Sequence, residues 1–166
     1  MSERSASWPA LRIGQGFDVH QFSGDPGRAL VLGGVRIPGA AGLVGHSDAD
    51  VAAHALADAL LGAAGRADLG THFPADLPQW AGADSLDLLA RVVAMVGVEG
   101  MQVVNADCTL VCERPRLAEY TASMGERLTG VVHAPVSVKA KRAEGLGALG
   151  RAEGIACLAV ALLAIT

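Results

Sequence analysis

A stretch of small apolar residues near position 50 places the tightest limit on the fold. These residues recur three or four positions apart, which is the spacing of one helix face. They are Val51, Ala55, Leu56, Ala59, Leu60 and Ala63. Ser47 and Asp48 precede them as capping candidates, so we expect a helix that begins there and ends near Gly65.

The composition indicates one core filled with small side chains. Of the 166 residues 51% are hydrophobic but only 4% are aromatic, and 21 are glycines. A chain of this length is long enough for one core, and Ala, Val and Leu must fill it. The glycines indicate tight turns and close approaches of the backbone. We expect a disordered tail over residues 1–10 and a single domain over residues 11–166.

Strand and helix patterns are mixed along the rest of the chain. Strands are predicted over residues 11–19, 30–37, 103–112 and 136–141, the first two forming a hairpin around a turn at 23–27. Further helices are predicted from Asp84 or Ser85, from Pro115 to about Leu128, and from Arg151 to Ile165. This mixture predicts an α+β fold, a two-layer sandwich of a four-stranded mixed sheet with helices on one face.

The charge and the cysteines argue against several classes of protein. A net charge of −4 gives no reason to expect a nucleic acid partner. The three cysteines form no CxxC pair and follow no cationic apolar leader, which favours a reduced, cytoplasmic setting. The longest apolar run, residues 155–165, is about half as long as a membrane span. We therefore expect no membrane-spanning segment.

Asp18 and His20 stand two residues apart on the first predicted strand, so their side chains leave the same face. A carboxylate and an imidazole make two of the three protein ligands of a catalytic zinc site. His54, in the middle of the predicted helix, is the candidate for the third, with Asp50 and Asp58 one turn away to orient its ring. The alternative is that Asp-x-His is a common pattern and that a lone helical histidine is merely partly buried and hydrogen-bonded.

A glycine-rich stretch, KAKRAEGLGALGRAEG, lies between the last predicted strand and the last predicted helix. Its glycines would free backbone N–H groups, and the helix N-terminus would add favourable partial charge for a phosphate. It matches the dinucleotide-binding fingerprint, but the chain ends before the second strand that this fold requires. The alternative to a phosphate site is a plain turn with a solvated basic rim. Phosphate is favoured by a basic set in an acidic chain: Lys139, Lys141, Arg142, Arg114, Arg116 and Arg151.

Two short polar segments flank the predicted helix near position 50. His46 and Ser47 stand at its entrance, where they can meet a phosphate oxygen or simply cap the helix. Asp68, Leu69 and Gly70 follow its end, where they could hold a polyol hydroxyl or form a helix-ending turn.

Together these segments resemble the methylerythritol cyclodiphosphate synthase family along nearly the whole chain. The matching motifs are RIGQGFDVH, GHSDADVAAHALADALLGAAGRADLG, HFP and GRAEGIACLAVALL, in the same order and at matching separations. The resemblance implies conversion of 4-diphosphocytidyl-2-C-methyl-D-erythritol 2-phosphate to 2-C-methyl-D-erythritol 2,4-cyclodiphosphate with release of CMP. This reaction belongs to the non-mevalonate route to isoprenoid precursors. The resemblance also implies a homotrimer whose active sites are shared between neighbouring subunits.

The same resemblance implies two metal positions and a set of substrate contacts. Asp18, His20 and His54 would bind zinc, and Glu144 would bind a second divalent ion, magnesium or manganese, between the two phosphates. His46 and Arg142 would act in catalysis, residues 68–70 would hold the methylerythritol unit, and residues 112–118 would form the cytosine pocket. The expected substrate-binding residues are Asp18, Val19, His20, His46, Ser47, Asp68, Leu69, Gly70, Phe73, Asp76, Cys112, Arg114, Pro115, Arg116, Leu117, Ala118, Lys141, Arg142, Ala143, Glu144, Ala148 and Arg151.

Three departures from the family pattern involve four positions. Lys141 and Arg142 replace a usual pair of threonines, so cationic contacts to phosphate would replace hydroxyl contacts. Ala75 replaces a usual carboxylate, although Asp76 is adjacent, and Ala148 replaces an aromatic that lines an apolar channel on the trimer axis. Two alternatives stay open: a non-catalytic trimeric relative that binds diphosphates, and a metal-dependent phosphohydrolase that would release a linear product.

Overall fold

A computed structural model describes residues 10–165 of the chain. In chain order the elements are β1 Leu11–Gln21, β2 Ala29–Leu32, β3 Val35–Ala41, α1 Val51–Ala63, α2 Leu69–His72, a 3-10 turn Pro78–Trp80, α3 Ser85–Val98, β4 Met101–Val111, α4 Thr121–Val132, β5 Val136–Lys141, α5 Gly147–Gly150 and β6 Gly154–Ile165. The predicted tail lies outside the described residues except for Ala10, whose carbonyl accepts a hydrogen bond from the Ile165 N–H at 2.9 Å. In the described part of the chain no helix is long and apolar enough to cross a bilayer.

Four strands form one mixed sheet in the order β1-β6-β4-β5. Strand β6 runs antiparallel to both β1 and β4, whereas β4 and β5 run parallel. Helix α1 packs on β1 and β6, α4 packs on β5, and α3 lies beside α1. This arrangement confirms the predicted α+β sandwich of a four-stranded mixed sheet with helices on one face.

The last element is a strand, so the predicted helix from Arg151 to Ile165 is wrong. Strand β6 buries every second side chain along most of its length, which is the period of a strand with one buried face. The buried positions are Ile155, Cys157, Ala159, Ala161 and Leu163. An unbroken apolar run does not distinguish a buried strand from a buried helix. The segment therefore lies at the centre of the sheet, between β1 and β4.

The predicted hairpin between residues 11–19 and 30–37 is also wrong. Strand β1 pairs with β6, in a register that sets Asp18 opposite Cys157. The second predicted strand divides at Gly33 and Gly34, both at positive φ, into β2 and β3, which form a separate two-stranded hairpin. The observed hairpin of β2 and β3 thus includes the whole of the single strand that was predicted over residues 30–37.

Three of the four predicted helices form, and one of these three begins where it was predicted. Helix α3 begins at Ser85 behind Asp84, whose carboxylate caps it, as predicted. Helix α1 begins at Val51 and is capped by Asp50 rather than by Ser47 or Asp48. Helix α4 begins at Thr121 rather than at Pro115, because residues 112–120 form a turn in which Cys112 Sγ donates to the Pro115 carbonyl at 3.3 Å.

Two glycines of β1 allow helix α1 to approach the sheet closely. A Cβ atom at Gly14 would lie 2.0 Å from the Ala59 carbonyl oxygen, and one at Gly16 would lie 1.8 Å from the Ala55 carbonyl oxygen. Neither distance is possible between non-bonded atoms, so only glycine permits this packing. The alanines of α1 complete the close approach, and His54 is carried over the end of β1.

Candidate metal centre and substrate cavities

Three potential metal ligands converge where α1 crosses β1. His54 Nδ1 lies 2.9 Å from Asp18 Oδ2, and His20 Nε2 lies 3.2 Å from the same oxygen. One ligand atom from each of these residues lies within 4.8 Å of the other two. We call Asp18, His20 and His54 the metal cradle. The structure thus brings together the three residues that the sequence analysis selected.

The proton positions in the cradle show that it is suited to a cation. His20 Nδ1 donates a hydrogen bond to the Val44 carbonyl, which can only accept, so Nε2 of the neutral ring carries a lone pair. That lone pair faces a carboxylate oxygen of Asp18. Burial alone would raise the pKa of Asp18, but the hydrogen bonds that His20 and His54 form to it when their facing nitrogens carry a proton outweigh burial and lower that pKa. The hydrogen bond to Asp18 raises the pKa of His20 against the effect of burial. Two facing acceptors need a positive charge between them, which a proton or a metal ion can supply.

The two carboxylates expected to orient His54 have other partners. Asp50 is fully buried, caps α1 and accepts hydrogen bonds from the N–H groups of Gly33 at 2.8 Å and Gly34 at 2.7 Å. Asp58 accepts a hydrogen bond from the Leu69 N–H at 2.7 Å. Burial raises the pKa of both carboxyl groups. The prediction that they orient the His54 ring is therefore wrong: they hold the hairpin and the residues after α1.

Two serines contact His54 in their place. Ser85 Oγ lies 2.8 Å from His54 Nε2, and Ser47 Oγ lies 3.2 Å from it. Ser47 was predicted to stand at the entrance of α1, whereas Ser85 was predicted only as a possible start of α3. The segment GADS precedes α3 as GHSDAD precedes α1, and both combine a glycine with serine and aspartate. This similarity could have marked Ser85 as a candidate site residue.

A cavity of about 230 Å³ opens beside the metal cradle, and we call it the first cavity. It is lined by His20 and His54 and by five further residues of the expected substrate set, which are His46, Ser47, Leu69, Gly70 and Phe73. Three further lining residues, Ala75, Trp80 and Leu88, were not selected from the sequence. The Trp80 ring packs edge-on against Phe73 with centroids 5.0 Å apart, so the two aromatics form one wall.

Arg28 fixes the backbone segment that carries His46 and Ser47. Its guanidinium donates hydrogen bonds to the carbonyl oxygens of Leu43, Gly45 and Ser47. A single planar donor group therefore binds three alternate carbonyls of the segment leading into α1. No sequence signal marked Arg28, because it stands in a turn far from the motifs that it supports.

A second cavity lies between the turn after β4 and the end of β5. It has a volume of about 200 Å³ and is lined by most of residues 112–118 together with Ala140, Lys141 and Arg142. An adjoining opening of about 330 Å³ adds Arg114. The structure therefore brings together the segment expected to bind cytosine and Lys141 and Arg142, the two cationic residues that replace the family's usual threonines.

Glu113 neutralises part of the charge in the second cavity. Its carboxylate pairs with the Arg142 guanidinium, and this hydrogen bond lowers the pKa of Glu113. Glu113 belongs to the segment 112–118 that was predicted to form the cytosine pocket, but it was not among the predicted substrate-binding residues. Burial, followed by the charge of Glu113, raises the pKa of the neighbouring Cys112 to about 11, so its thiol stays protonated at neutral pH.

Comparison with known proteins identifies the group to which this architecture belongs. A sequence profile described as the YgbB family matches residues 11–164. The chain belongs to the YgbB family. A curated relative from Symbiobacterium thermophilum, named 2-C-methyl-D-erythritol 2,4-cyclodiphosphate synthase, is 58% identical over 157 residues, which cover 93% of this chain and 99% of that protein.

Two solved structures that contain a nucleotide have the same fold. One is described as 2C-methyl-D-erythritol-2,4-cyclodiphosphate synthase in a CDP-bound form, with 35% identity and a TM-score of 0.82 over 92% of this chain and 99% of that chain. The other is described as a CDP complex of the Plasmodium falciparum IspF protein, with 30% identity and a TM-score of 0.81 over 96% and 99% of the two chains.

The glycine-rich stretch has a different form from the one predicted. In this member of the YgbB family it is a turn that ends in the four-residue helix α5 and continues into strand β6, so the predicted long helix N-terminus for a phosphate is absent. Glu144, Gly145 and Gly147 all adopt positive φ in this turn, and Glu144 is exposed. The residues remain candidates for phosphate binding through their side chains and turn N–H groups.

Several predicted contact residues lie apart from both cavities. Asp68 caps α2 by accepting from Thr71 N at 2.8 Å, and Arg151 pairs with Glu153 at 2.6 Å. Val19 lies on the opposite face of β1 from the cradle. Asp76, Ala143, Glu144 and Ala148 also line neither cavity, whereas Asp18 lies in the metal cradle and Arg114 lines only the adjoining opening. None of the described residues that line one of these two cavities also lines the other.

Proposed function

We propose that the chain is a 2-C-methyl-D-erythritol 2,4-cyclodiphosphate synthase. The substrate would be 4-diphosphocytidyl-2-C-methyl-D-erythritol 2-phosphate. An oxygen of its 2-phosphate would attack the β-phosphorus of its own cytidine diphosphate arm, and the bond from that phosphorus to the α-phosphate oxygen would break. The products would be the cyclic diphosphate and CMP. Membership of the YgbB family and the names of relatives with high coverage support this reaction.

The metal cradle beside the first cavity is the observation that carries the proposal. Two histidines and one carboxylate form the three-ligand set of a catalytic zinc site, which leaves one coordination position for the substrate. A reaction that joins two phosphates needs their charge reduced and their approach held in line. When bound, zinc would withdraw charge from a phosphoryl oxygen as a Lewis acid. The rest of the site's chemistry is assigned to side chains of this chain.

Two residues at the entrance of α1 would bind the phosphate that reaches the cradle. The Ser47 hydroxyl accepts from the Ala49 N–H at 3.1 Å, and its own hydrogen would turn from Ser85 Oγ, 3.4 Å away, to an anion in the first cavity. His46 is exposed at the same rim and would donate to a phosphoryl oxygen as charge develops there. The wall of Phe73 and Trp80 would exclude water from the methylerythritol unit, and so favour ring closure over hydrolysis.

Glu144 would supply the protein ligand of a second divalent ion. Magnesium and manganese are commonly bound by one or two carboxylates together with substrate phosphates. The exposed carboxylate of Glu144 near Arg142 fits that pattern. Arg142 would bind a phosphate of the same diphosphate and act in catalysis. Glu144→Gln should leave zinc content unchanged and weaken the dependence of the rate on magnesium; unchanged magnesium dependence would contradict this role.

The separation of the two cavities supports a homotrimer with shared active sites. The first cavity carries the metal cradle, and the second carries the segment expected to bind cytosine. One chain would give its cradle to a site and its neighbour would give the nucleotide segment. The uncovered face of the sheet supplies an apolar surface for such a contact, exposing Ile13, Phe17, Leu158 and Val160.

The trimer can be tested by introducing a charge into that uncovered face. Phe17→Asp should convert the trimer to monomers in size-exclusion chromatography with light scattering, and activity should fall with it. Val98→Asp is the matched control, because Val98 is 87% exposed at the end of α3, away from this sheet face. A wild-type protein that is monomeric and fully active would overturn the shared site.

The three cysteines support the proposal of a reducing, cytoplasmic setting. Cys108, Cys112 and Cys157 are buried free thiols. Proteins that fold in oxidising compartments commonly use such residues in disulfides. The location can be checked by fractionating the source cells and detecting the protein with an antibody.

The reaction itself is tested by phosphorus NMR of the purified protein with the proposed substrate, zinc and magnesium. CMP and a cyclic diphosphate should appear together, and both should be lost on chelation. Tight binding without CMP would favour the non-catalytic trimeric relative, for which Lys141 and Arg142 in place of threonines are the specific observation. CMP with a linear product would indicate a phosphohydrolase.

A further inference from the structure

The His54 ring faces the metal cradle with only one of its nitrogens. Nδ1 lies 2.9 Å from Asp18 Oδ2, whereas Nε2 lies between the hydroxyls of Ser85 and Ser47. A neutral histidine binds a metal through the nitrogen that carries no hydrogen. The group that binds the other nitrogen therefore decides whether the ring can serve as a ligand.

Ser85 has no free hydrogen to give to His54. Its hydroxyl donates to the carboxylate of Asp48, which can only accept. Asp48 is held in turn by two N–H groups: that of Ser85 lies 3.2 Å from Oδ2, and that of Asp50 lies 3.2 Å from Oδ1. With its hydrogen engaged, Ser85 Oγ can only accept the 2.8 Å hydrogen bond from His54 Nε2. His54 Nε2 then carries the hydrogen, and Nδ1 keeps a lone pair for the cradle.

We propose that Ser85 and Asp48 are positioning residues that hold His54 in the tautomer presenting Nδ1 to the metal. The inference rests on the proposed function only for the statement that the cradle binds a metal. Ser85 is 1% exposed, and neither it nor Asp48 lines the first cavity, so their effect on any reaction passes through His54. This three-residue chain replaces the orienting role that the sequence analysis gave to Asp50 and Asp58.

The two serines beside His54 have different roles, which makes them a matched pair. Ser47 accepts from the Ala49 N–H and lines the first cavity, and its own hydrogen can turn from Ser85 Oγ, 3.4 Å away, to a ligand there. Ser85 gives its hydrogen to Asp48 and is closed off from the cavity. Removing the Ser85 hydroxyl should therefore change metal binding, whereas removing the Ser47 hydroxyl should change substrate binding and leave metal affinity nearly unchanged.

Loss of the Ser85 acceptor frees His54 to adopt the other tautomer. In that tautomer Nδ1–H would donate to Asp18, and the cradle would lose a ligand. Substitution of outer residues that orient a metal-binding histidine weakens metal affinity by about 10- to 100-fold. Ser85→Ala and Asp48→Ala should each show a loss in this range. Asp48→Asn keeps an oxygen acceptor for the Ser85 hydroxyl and should retain most of the affinity.

The test measures zinc affinity by competition with a chelator, without substrate, in the wild type, Ser85→Ala, Asp48→Ala, Asp48→Asn and Ser47→Ala. Thermal unfolding with and without zinc separates the roles: a merely structural serine would lower both stabilities equally, whereas a positioning serine would reduce the gain from zinc. Equal zinc affinity in Ser85→Ala and wild type would overturn the proposal. A wild type that binds no zinc would overturn both the proposal and the metal-dependent function.

Nitrogen NMR of the zinc-loaded wild type tests the tautomer without any substitution. With labelled histidine, we expect the His54 hydrogen on Nε2 and the metal on Nδ1. Zinc on Nε2, or a hydrogen on Nδ1, would overturn the inference even if every variant failed to fold. If zinc affinity responds as expected but no cyclic product forms in the phosphorus assay, the positioning role stands and the proposed reaction fails.

Discussion

The metal cradle and the second cavity are held by the fold in opposite ways. The side chains of Asp18 and His54 are 23% and 13% exposed and come from β1 and α1, which pack backbone against backbone. Arg142 is 60% exposed at the end of β5 and is neutralised by Glu113. The contrast teaches that the geometry of the cradle is built into core elements, whereas the charge of the second cavity is carried by exposed side chains at the end of a strand and in the turns beside it, where we expect substitutions to have smaller effects.

Removing a cradle ligand should have the largest effect. His54→Ala takes away one of three ligands, and we expect zinc content near zero and a fall in activity of more than about 100-fold, beyond the usual loss for an orienting residue. The fold should persist, because His54 is only partly buried in a helix of alanines and leucines. Zinc content by mass spectrometry and circular dichroism measure the two effects.

His46→Ala is the matched control for that experiment. His46 lies at the rim of the first cavity but outside the metal cradle. It should retain zinc while losing activity. Equal zinc content in His54→Ala and wild type would show that the cradle is not the metal site. The contrast between the metal cradle and the second cavity would then fail.

The next effect tests whether glycine packing positions the cradle. Gly16→Ala places a Cβ against the Ala55 carbonyl, so helix α1 must move or the strand must bend. Overpacking of this kind costs about 3 kcal/mol, and it should also weaken zinc binding because His54 moves with the helix. Urea unfolding and chelator competition measure the two losses.

Gly62→Ala is the control from the same helix. Its Cβ would meet the Gln15 carbonyl oxygen at 3.7 Å, an ordinary contact, and alanine is favoured over glycine in a helix by about 0.5–1 kcal/mol. Gly62→Ala should therefore stabilise the protein slightly and leave zinc affinity unchanged. A destabilised Gly62→Ala together with a neutral Gly16→Ala would contradict the packing argument.

The cradle could be predicted from the sequence because its ligands belong to patterns with a fixed period. Asp18 and His20 share a face because strand side chains alternate, and that holds whichever strand is the neighbour of β1. The neighbour itself was mispredicted, since residues 154–165 form an unbroken apolar run that suits either element. Because of this ambiguity the predicted sheet lacked its central strand β6. The predicted metal site was unaffected, since its ligands come from β1 and α1.

The supports of the cradle could not be predicted in the same way. Ser85 and Arg28 act on residues 31 and 17 positions away in the sequence, through contacts that exist only after the chain has folded. Asp50 and Asp58 had the correct helical spacing from His54, yet their carboxylates bind backbone N–H groups of other segments. Helical spacing shows which side chains are near one another, but it does not show which hydrogen bonds they make.

Arg28→Met tests the support of the segment between the two regions. Methionine keeps much of the apolar stem but leaves three carbonyl oxygens without the guanidinium. Hydrogen bonds to charged groups contribute about 1.5–3 kcal/mol each before relaxation, and we expect a net loss of about 2 kcal/mol because water can replace part of them. Arg36→Met, at an exposed position of β3, is the control and should be near neutral.

The smallest effect should come from the exposed pair in the second cavity. Arg142→Thr removes the guanidinium proposed to bind the diphosphate but restores one of the family's usual hydroxyls, which should take over that contact. Because an exposed charge contact contributes only about 0–1 kcal/mol, we expect kcat/KM to fall by less than about 5-fold. Glu113→Gln frees Arg142 for the substrate, so it should lower KM and make it more sensitive to salt. KM should therefore rise in Arg142→Thr and fall in Glu113→Gln, measured at low and moderate ionic strength. Such opposite changes would show that the net charge of the second cavity controls substrate affinity. A loss in Arg142→Thr as large as that in His54→Ala would instead make Arg142 as position-critical as the cradle, and the contrast between the two regions would fail.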